Sequence, residues 1–321
     1  MQLLRSTGCL VELGDPKDAP DELARKLSRF SPDALIVRQG RITGAVLDAP
    51  LNLRVICKHG VGTDNIDVEE ATRRRIPVMF TPGTTTQSAA EHTLGLILSL
   101  TRRIPYEDRR MRAAVFGKTT YAGQDLFGMT LGLVGFGSIA RRLAALVAPF
   151  DVKVVAYHPS CTVEALPDHV SKVKHFEDLL PEADILSLHC PLSPATRGLV
   201  NKRTIELMKD GAYIVNTARG GLIDESQLFE ALSSGRVRGA ALDVFEREPP
   251  AAGNPLMGLE NVILTPHVGG ASDRSLAITG LQSVRNVLAV LENEPIDPLH
   301  VVNAKVLGLD SAEPPASGSP S

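Results

Sequence analysis

Residues 131–140, LGLVGFGSIA, decide how the rest of the chain is read. The run MTLGLV at 129–134 is apolar and strand-like, and SIARRLAALVAPF at 138–150 has the helical period. Ile139, Leu143, Leu146, Val147 and Phe150 are expected to face inward. Strand, glycine turn and helix together give the pattern G-x-G-x-x-A, a form of the dinucleotide-binding turn. Gly135 permits the tight turn. Gly137 lets backbone approach a pyrophosphate, which would rest on the helix N-terminus near the N–H groups of Ser138 and Ile139. Ala140 takes the third position, where a small residue packs helix on strand. The same residues without a ligand make a glycine-rich turn and nothing more. A dinucleotide turn also predicts an acidic residue about 20 positions on, bonded to the adenosine ribose. His158 stands there instead, in VVAYHPS at 154–160.

Working outward, residues 1–80 alternate apolar runs with helical patterns. CLVEL, ALIVRQ, RVICKHG and IPVMFTP read as strands, with DELARKLSRF and DVEEATRRR as helices between them. This is the βαβ rhythm of a parallel sheet. Residues 84–104 read as one apolar helix, with Thr84, Thr85 and Thr86 able to cap its start and Pro105 ending it. Residues 106–128 read as irregular. A second series follows: TLGLVGFG, KVVAYH, ADILSLHC, GAYIVNTA, GAALDV and NVILTPH. Residues 271–292 read as a helix leaving this second series. Residues 309–321, LDSAEPPASGSPS, lack apolar pattern and are expected to be disordered. The opening MQLLRSTG reads as the end of a helix, whereas a flavodoxin-like domain begins with a strand inside a sheet of order 2-1-3-4-5. Either the true start lies upstream or the sheet is a smaller variant.

The bulk numbers narrow the function classes. A length of 321 residues suggests about two domains. Hydrophobic content of 43%, charged content of 22% and a net charge of −3 are ordinary for a globular chain. They supply no basic field for nucleic acid or anionic membrane. Cys9, Cys57, Cys161 and Cys190 form no CxxC and have no histidine at metal spacing, so reduced cytoplasmic thiols and no metal site are expected. There is no signal peptide pattern and no apolar run of about 18 residues.

Four further stretches carry candidate chemistry. KHGVGTDNID at 58–67 follows a strand; its glycines free the backbone at 60–62 to aim N–H groups at an anion, with Lys58 and His59 adding charge, or they form a plain polar turn. NTARGGLIDE at 216–225 sets Arg219 at a strand's carboxyl end, where its fork suits a carboxylate, or where it is a surface arginine. ALDVFEREPP at 241–250 sets Asp243 at a strand end and Glu248 before a proline pair. LTPHVGG at 264–270 sets His267 at another. A carboxylate beside that histidine would fix one tautomer, as a general acid/base needs; an isolated histidine there is an ordinary loop residue.

These stretches, together with CPLSPATRGLV at 190–200, closely resemble the D-isomer-specific 2-hydroxyacid dehydrogenase family, nearest its D-3-phosphoglycerate dehydrogenase and hydroxypyruvate reductase branch. The likeness runs over roughly residues 3–305. It implies an α/β fold of two doubly wound parallel-sheet domains with the active site in the cleft between them. The Rossmann cofactor domain would span 84–272. The flavodoxin-like catalytic domain would span 1–83 and 273–308 and lack its first strand. It also implies catalytic roles for Arg219, Glu248 and His267. His267 would exchange the hydroxyl proton of a D-2-hydroxy acid, Glu248 would support the imidazolium, and Arg219 would bind the carboxylate. Substrate would further meet Lys58, His59, Gly60, Val61 and Gly62. Cofactor would meet Gly135, Gly137, Ser138, Ile139, His158, Cys190, Thr217, Ala218, Asp243 and Gly269, with Asp243 on the nicotinamide carboxamide. The resemblance implies NAD as cofactor, a small 2-hydroxy or 2-oxo acid of 3-phosphoglycerate, hydroxypyruvate or glyoxylate type as substrate, and a cytoplasmic homodimer. His158 departs from the family pattern and keeps NADP open, since it removes the charge that repels a 2′-phosphate. Corepressors of the same fold that bind NAD(H) are the alternative from another class.

Overall fold

The computed structural model describes residues 2–15, 17–49, 52–117, 123–159 and 166–309. The chain divides into two compact units, Met1–Thr85 with Ser272–Ser321, and Thr86–Ala271.

The first unit begins with α1 (Gln2–Ser6) and α2 (Pro20–Phe30). There follow β1 (Ala34–Val37), α3 (Gly44–Leu47), β2 (Val55–Lys58), α4 (Val68–Arg73) and β3 (Val78–Met79). The three strands form one parallel sheet in the order β1-β2-β3. One core, around Leu27, Val46, Leu47, Ile56 and Val78, lies under α2, α3 and α4. The expected strand CLVEL does not form. Residues 9–13 have no strand partner, and Leu10 and Leu13 are 88% and 77% exposed. In a 2-1-3 order the second strand pairs with the first, and no such first strand stands among the described residues. Unpaired, an alternating segment has nothing to take its N–H and C=O groups but water.

The second unit carries α5 (Thr86–Thr101) and α6 (Ile104–Arg112) ahead of its sheet. Residues from 106 onward were expected to be irregular because Pro105 reads as a stop. Instead Pro105 occupies the first turn of α6, where a missing N–H costs nothing. The break falls at Arg103, which is left-handed at φ 53°. The sheet is built from β4 (Thr130–Val134), α7 (Ser138–Val147), β5 (Lys153–Tyr157), β6 (Val170–Val173), α8 (Phe176–Leu179), β7 (Ile185–Leu188), α9 (Lys202–Leu207), β8 (Ala212–Asn216), α10 (Glu225–Ser233), β9 (Val237–Leu242) and β10 (Val262–Leu264). All seven strands are parallel, in the order β10-β9-β8-β7-β4-β5-β6. This is the Rossmann order with one strand added, and its topological switch falls between β4 and β7. β6, VSKV, escaped the sequence reading because a short polar edge strand needs only one neighbour. Helix α7 buries Ala140, Leu143, Ala144 and Val147, with Ile139 and Leu146 at the margin of the core. Phe150, expected inward, is 37% exposed, because the chain tightens into a 3-10 turn at Ala148–Phe150.

The chain then returns to the first unit as α11 (Asp273–Leu291) and α12 (Ala304–Leu307). Val287 and Ala304 pack with Val55, Cys57 and Met79 to form a second core. The Arg54 guanidinium donates to the carbonyls of Val290 and Leu291, closing the open C-terminal end of α11. The tail expected to be disordered lies, beyond Leu309, outside the described residues. No helix among the described residues is long and apolar enough to cross a membrane.

Candidate active site

Every strand of the second unit points its carboxyl end the same way, and the candidate residues of that unit gather there. At the switch point, Gly135 adopts φ +94° and donates its N–H to the Tyr157 carbonyl at 2.8 Å. A Cβ on Gly135 would fall 2.7 Å from the His189 carbonyl oxygen, so only glycine lets the β4 and β7 loops meet. A Cβ on Gly137 would meet nothing within 4 Å, which leaves its backbone open to a ligand at the start of α7. This cradle fits a pyrophosphate. Ser138 Oγ accepts from Thr86 Oγ1 at 3.3 Å. His158 directly follows β5 and is half-buried, tied to the glycine turn through the neighbouring Tyr157 carbonyl. Ser160 and Thr162, hydroxyl residues just after His158 in the sequence, lie outside the described residues. Burial pushes the Cys190 thiol up to about 11, so it stays protonated and unreactive.

At the end of β8, buried Asn216 organises the Arg219 loop. Its Oδ1 accepts the Ala218 N–H at 3.0 Å and its Nδ2 donates to the Arg219 carbonyl at 2.9 Å. Thr217 Oγ1 lies 2.9 Å from Thr93 Oγ1 on α5. Gly220 packs directly against the backbone of Phe245 and Glu246, leaving no room for a Cβ. This contact draws the β8 and β9 loops together.

Glu248 and His267 meet. His267 Nδ1 lies 2.7 Å from Glu248 Oε2, and Phe245 N–H donates to Oε1 at 3.2 Å. Burial pushes the Glu248 carboxyl up, but the bond to His267, its charge, the Phe245 N–H and the Arg219 guanidinium more than offset this and hold it below the usual range. An ionised Glu248 fixes the proton on Nδ1 and leaves Nε2 to exchange one. Both side chains are accessible, at 48% and 38%. Asp243 is 1% exposed; Gly269 N–H donates to its Oδ2 at 2.7 Å.

In the first unit the loop at 58–62 is more committed than its sequence suggests. The Gly60 N–H donates to Thr81 Oγ1 at 3.1 Å and is not offered to an anion. That leaves Val61 and Gly62 as the donors of the loop. Lys58 Nζ donates to Asn65 Oδ1 at 2.7 Å and to the Arg38 carbonyl at 3.1 Å, so its charge also braces the turn. Burial, with Arg38 and Lys58 nearby, lowers the His59 pKa, favouring a neutral ring. Sequence reasoning missed Thr81, Asn216, His92 and Thr265. Only Asn216, beside Arg219 in NTARGG, left a signal.

A family model for the NAD binding domain of D-isomer specific 2-hydroxyacid dehydrogenases matches residues 94–269. The chain is 36% identical over 294 residues to the D-3-phosphoglycerate dehydrogenase of Archaeoglobus fulgidus, covering 91% of this chain and 55% of that protein. It is 39% identical over 275 residues to the hydroxypyruvate reductase of Thermotoga maritima, covering 84% of this chain and 88% of that one. It thus spans about half the length of the D-3-phosphoglycerate dehydrogenases it matches. Among solved structures, a D-lactate dehydrogenase from Aquifex aeolicus complexed with NAD and lactic acid superposes with a TM-score of 0.80 at 28% identity, covering 91% of this chain and 92% of that one.

Proposed function

Because the chain belongs to the D-isomer-specific 2-hydroxyacid dehydrogenase family, we propose that it transfers hydride between NAD(H) and a D-2-hydroxy acid/2-oxo acid pair. The substrate is of 3-phosphoglycerate, hydroxypyruvate or glyoxylate type. The observation that carries this reading is the 2.7 Å contact between His267 Nδ1 and Glu248 Oε2. It leaves Nε2 to take the hydroxyl proton in oxidation and to return it in reduction. The Glu248 carboxylate stabilises the imidazolium formed. Arg219 binds the substrate carboxylate and polarises the 2-oxo oxygen. The Val61 and Gly62 N–H groups bind the carboxylate as well, with Lys58, His59 and Gly60 shaping their loop. NAD supplies the acceptor for the hydride leaving C2. Gly135, Gly137, Ser138 and Ile139 hold its pyrophosphate; Cys190, Thr217, Ala218, Asp243 and Gly269 line the nicotinamide end.

His158 favours a second reading of the cofactor. A neutral imidazole can bond a ribose hydroxyl, but it does not repel a 2′-phosphate as a carboxylate does. NAD use with weakened discrimination follows, with NADP preference as the alternative. A panel of 2-oxo acids assayed with NADH and NADPH tests both parts. Absence of turnover on every acid, with NADH bound, would favour a cofactor-sensing corepressor. A kcat/KM ratio favouring NADPH by more than about tenfold would overturn the preference for NAD.

The reading includes a cytoplasmic homodimer that takes no nucleic acid. Met111, Val115, Phe116 and Phe127 of the second unit are exposed apolar side chains, at 56%, 47%, 80% and 74%, of the kind a second copy would cover. Sedimentation at a single-chain mass would overturn the dimer.

A further inference from the structure

Four of the five residues 265–269 converge on one buried aspartate. Thr265 Oγ1 donates to Asp243 Oδ1 at 2.6 Å, Val268 N–H donates to the same oxygen at 2.9 Å, and Gly269 N–H donates to Oδ2 at 2.7 Å. The His267 N–H donates to the Asp243 carbonyl at 2.8 Å. Between these bonds His267 adopts φ +54°, a left-handed backbone uncommon outside glycine, though histidine takes it more readily than most side chains, as asparagine and aspartate do. Asp243 therefore grips the chain on both sides of this left-handed residue. Behind it stands α5. His92 Nε2 lies 3.2 Å from Thr265 Oγ1 and 3.5 Å from Asp243 Oδ1. The Thr265 hydroxyl spends its single proton on Asp243, so it can only accept from His92, and His92 carries its proton on Nε2. Gly269 completes the arrangement: a Cβ there would fall 3.0 Å from Asp243 Oδ2 and 3.4 Å from His92 Cδ2.

We infer that Asp243, backed by His92 and Thr265, is a positioning residue that holds the His267 backbone in its left-handed turn and so aims the imidazole at Glu248. The inference rests on His267 being the proton-exchanging group. It gives Asp243 a task other than the nicotinamide contact implied by family resemblance, because the loop's own donors occupy most of its carboxylate. Burial pushes the Asp243 carboxyl up, but His92, Thr265 and the two N–H groups more than offset this, so the brace stays charged.

The test compares Asp243→Asn, Thr265→Val and Thr265→Ser with the unaltered protein. Three quantities are read: the His267 Nδ1–H proton resonance without cofactor, the NADH dissociation constant, and kcat against KM for the best 2-oxo acid. Asp243→Asn and Thr265→Val are expected to broaden or abolish the Nδ1–H resonance. They should lower kcat about tenfold or more, and Thr265→Val, at a residue outside the proposed cofactor contacts, should leave NADH affinity within about twofold. Thr265→Ser keeps the hydroxyl and should restore both. Weakened NADH binding in Asp243→Asn with the resonance and kcat unmoved would overturn the inference, as would Thr265→Val behaving as wild type. Should Asp243→Asn fail to fold, the valine and serine pair still decides. Should the unaltered protein turn over no 2-oxo acid, the proposed activity fails, yet the resonance still reports on the brace.

Discussion

Glu248 Oε2 sits 2.7 Å from His267 Nδ1, and the carboxylate is held ionised by that bond and by the Phe245 N–H. Glu248→Gln keeps the volume but loses the charge that supports an imidazolium. It should lower kcat/KM roughly a hundredfold, the scale of general acid–base assistance, with NADH affinity unchanged. Steady-state kinetics with a fluorescence titration of NADH checks this; an unchanged kcat/KM would sink it. A second histidine predicts a pH effect on folding. His189 Nε2 lies 2.8 Å from the buried Ser187 hydroxyl, and burial holds its pKa down at about 4 against an ordinary 6.5. Between those values the unfolded chain binds more protons than the native one, so stability rises with pH across this window and is eroded as pH falls through it. The slope cannot exceed about 1.4 kcal/mol per pH unit. His189→Gln should flatten the difference between urea unfolding at pH 7 and pH 5; an undiminished difference would reject His189 as its source.

The 3-10 turn Gly220–Leu222 shows how an element, rather than a residue, can set a site. Gly220 lies flush on the Phe245–Glu246 backbone, whereas a Cβ on Gly221 would meet the Leu192 and Arg197 side chains at 3.1 and 3.2 Å. Side chains yield and backbone does not. Gly220→Ala should therefore cost about 3 kcal/mol or more and displace Arg219, while Gly221→Ala should cost about 1 kcal/mol. Urea midpoints and kcat/KM for both variants test the order, and equal effects would refute it. The same distinction explains what could be seen in the sequence. LGLVGFGSIA announced its strand, turn and helix because every residue there answers to local geometry. Arg219 and His267 stood out because strand ends in a parallel sheet face the ligand side, while Glu248 and the catalytic roles of all three were implied only by the family resemblance. The partners of the loop residues did not stand out. Thr265 reaches Asp243 across 22 positions and His92 reaches Thr265 across 173, and such pairs are set by packing rather than by local pattern. CLVEL failed for a related reason, since a strand exists only with a neighbour.

Across the whole molecule the apolar cores are unequally distributed. The seven-stranded sheet of the second unit is packed on both faces, by one core around Leu179, Leu186, Ile214 and Leu228 and another around Ile97, Leu133, Leu143 and Val215. The three-stranded sheet of the first unit has smaller cores, and among the described residues β1 has no strand on its outer edge. Resistance to local opening follows the apolar contacts that must be broken. Amides of β4, β7 and β8, wholly buried, should exchange slowest, and those of residues 9–13 and β1 fastest. NADH should then act where its turn lies. Ligand present at 100 times its dissociation constant stabilises the state it binds by about 2.7 kcal/mol. That corresponds to roughly a hundredfold slowing for β4 and β7 amides that exchange only through global opening of the second unit. Hydrogen exchange followed by mass spectrometry, with and without NADH, measures both the order and the increment. If β4 and β7 keep their rates with NADH bound, the cofactor does not sit at the turn between β4 and α7.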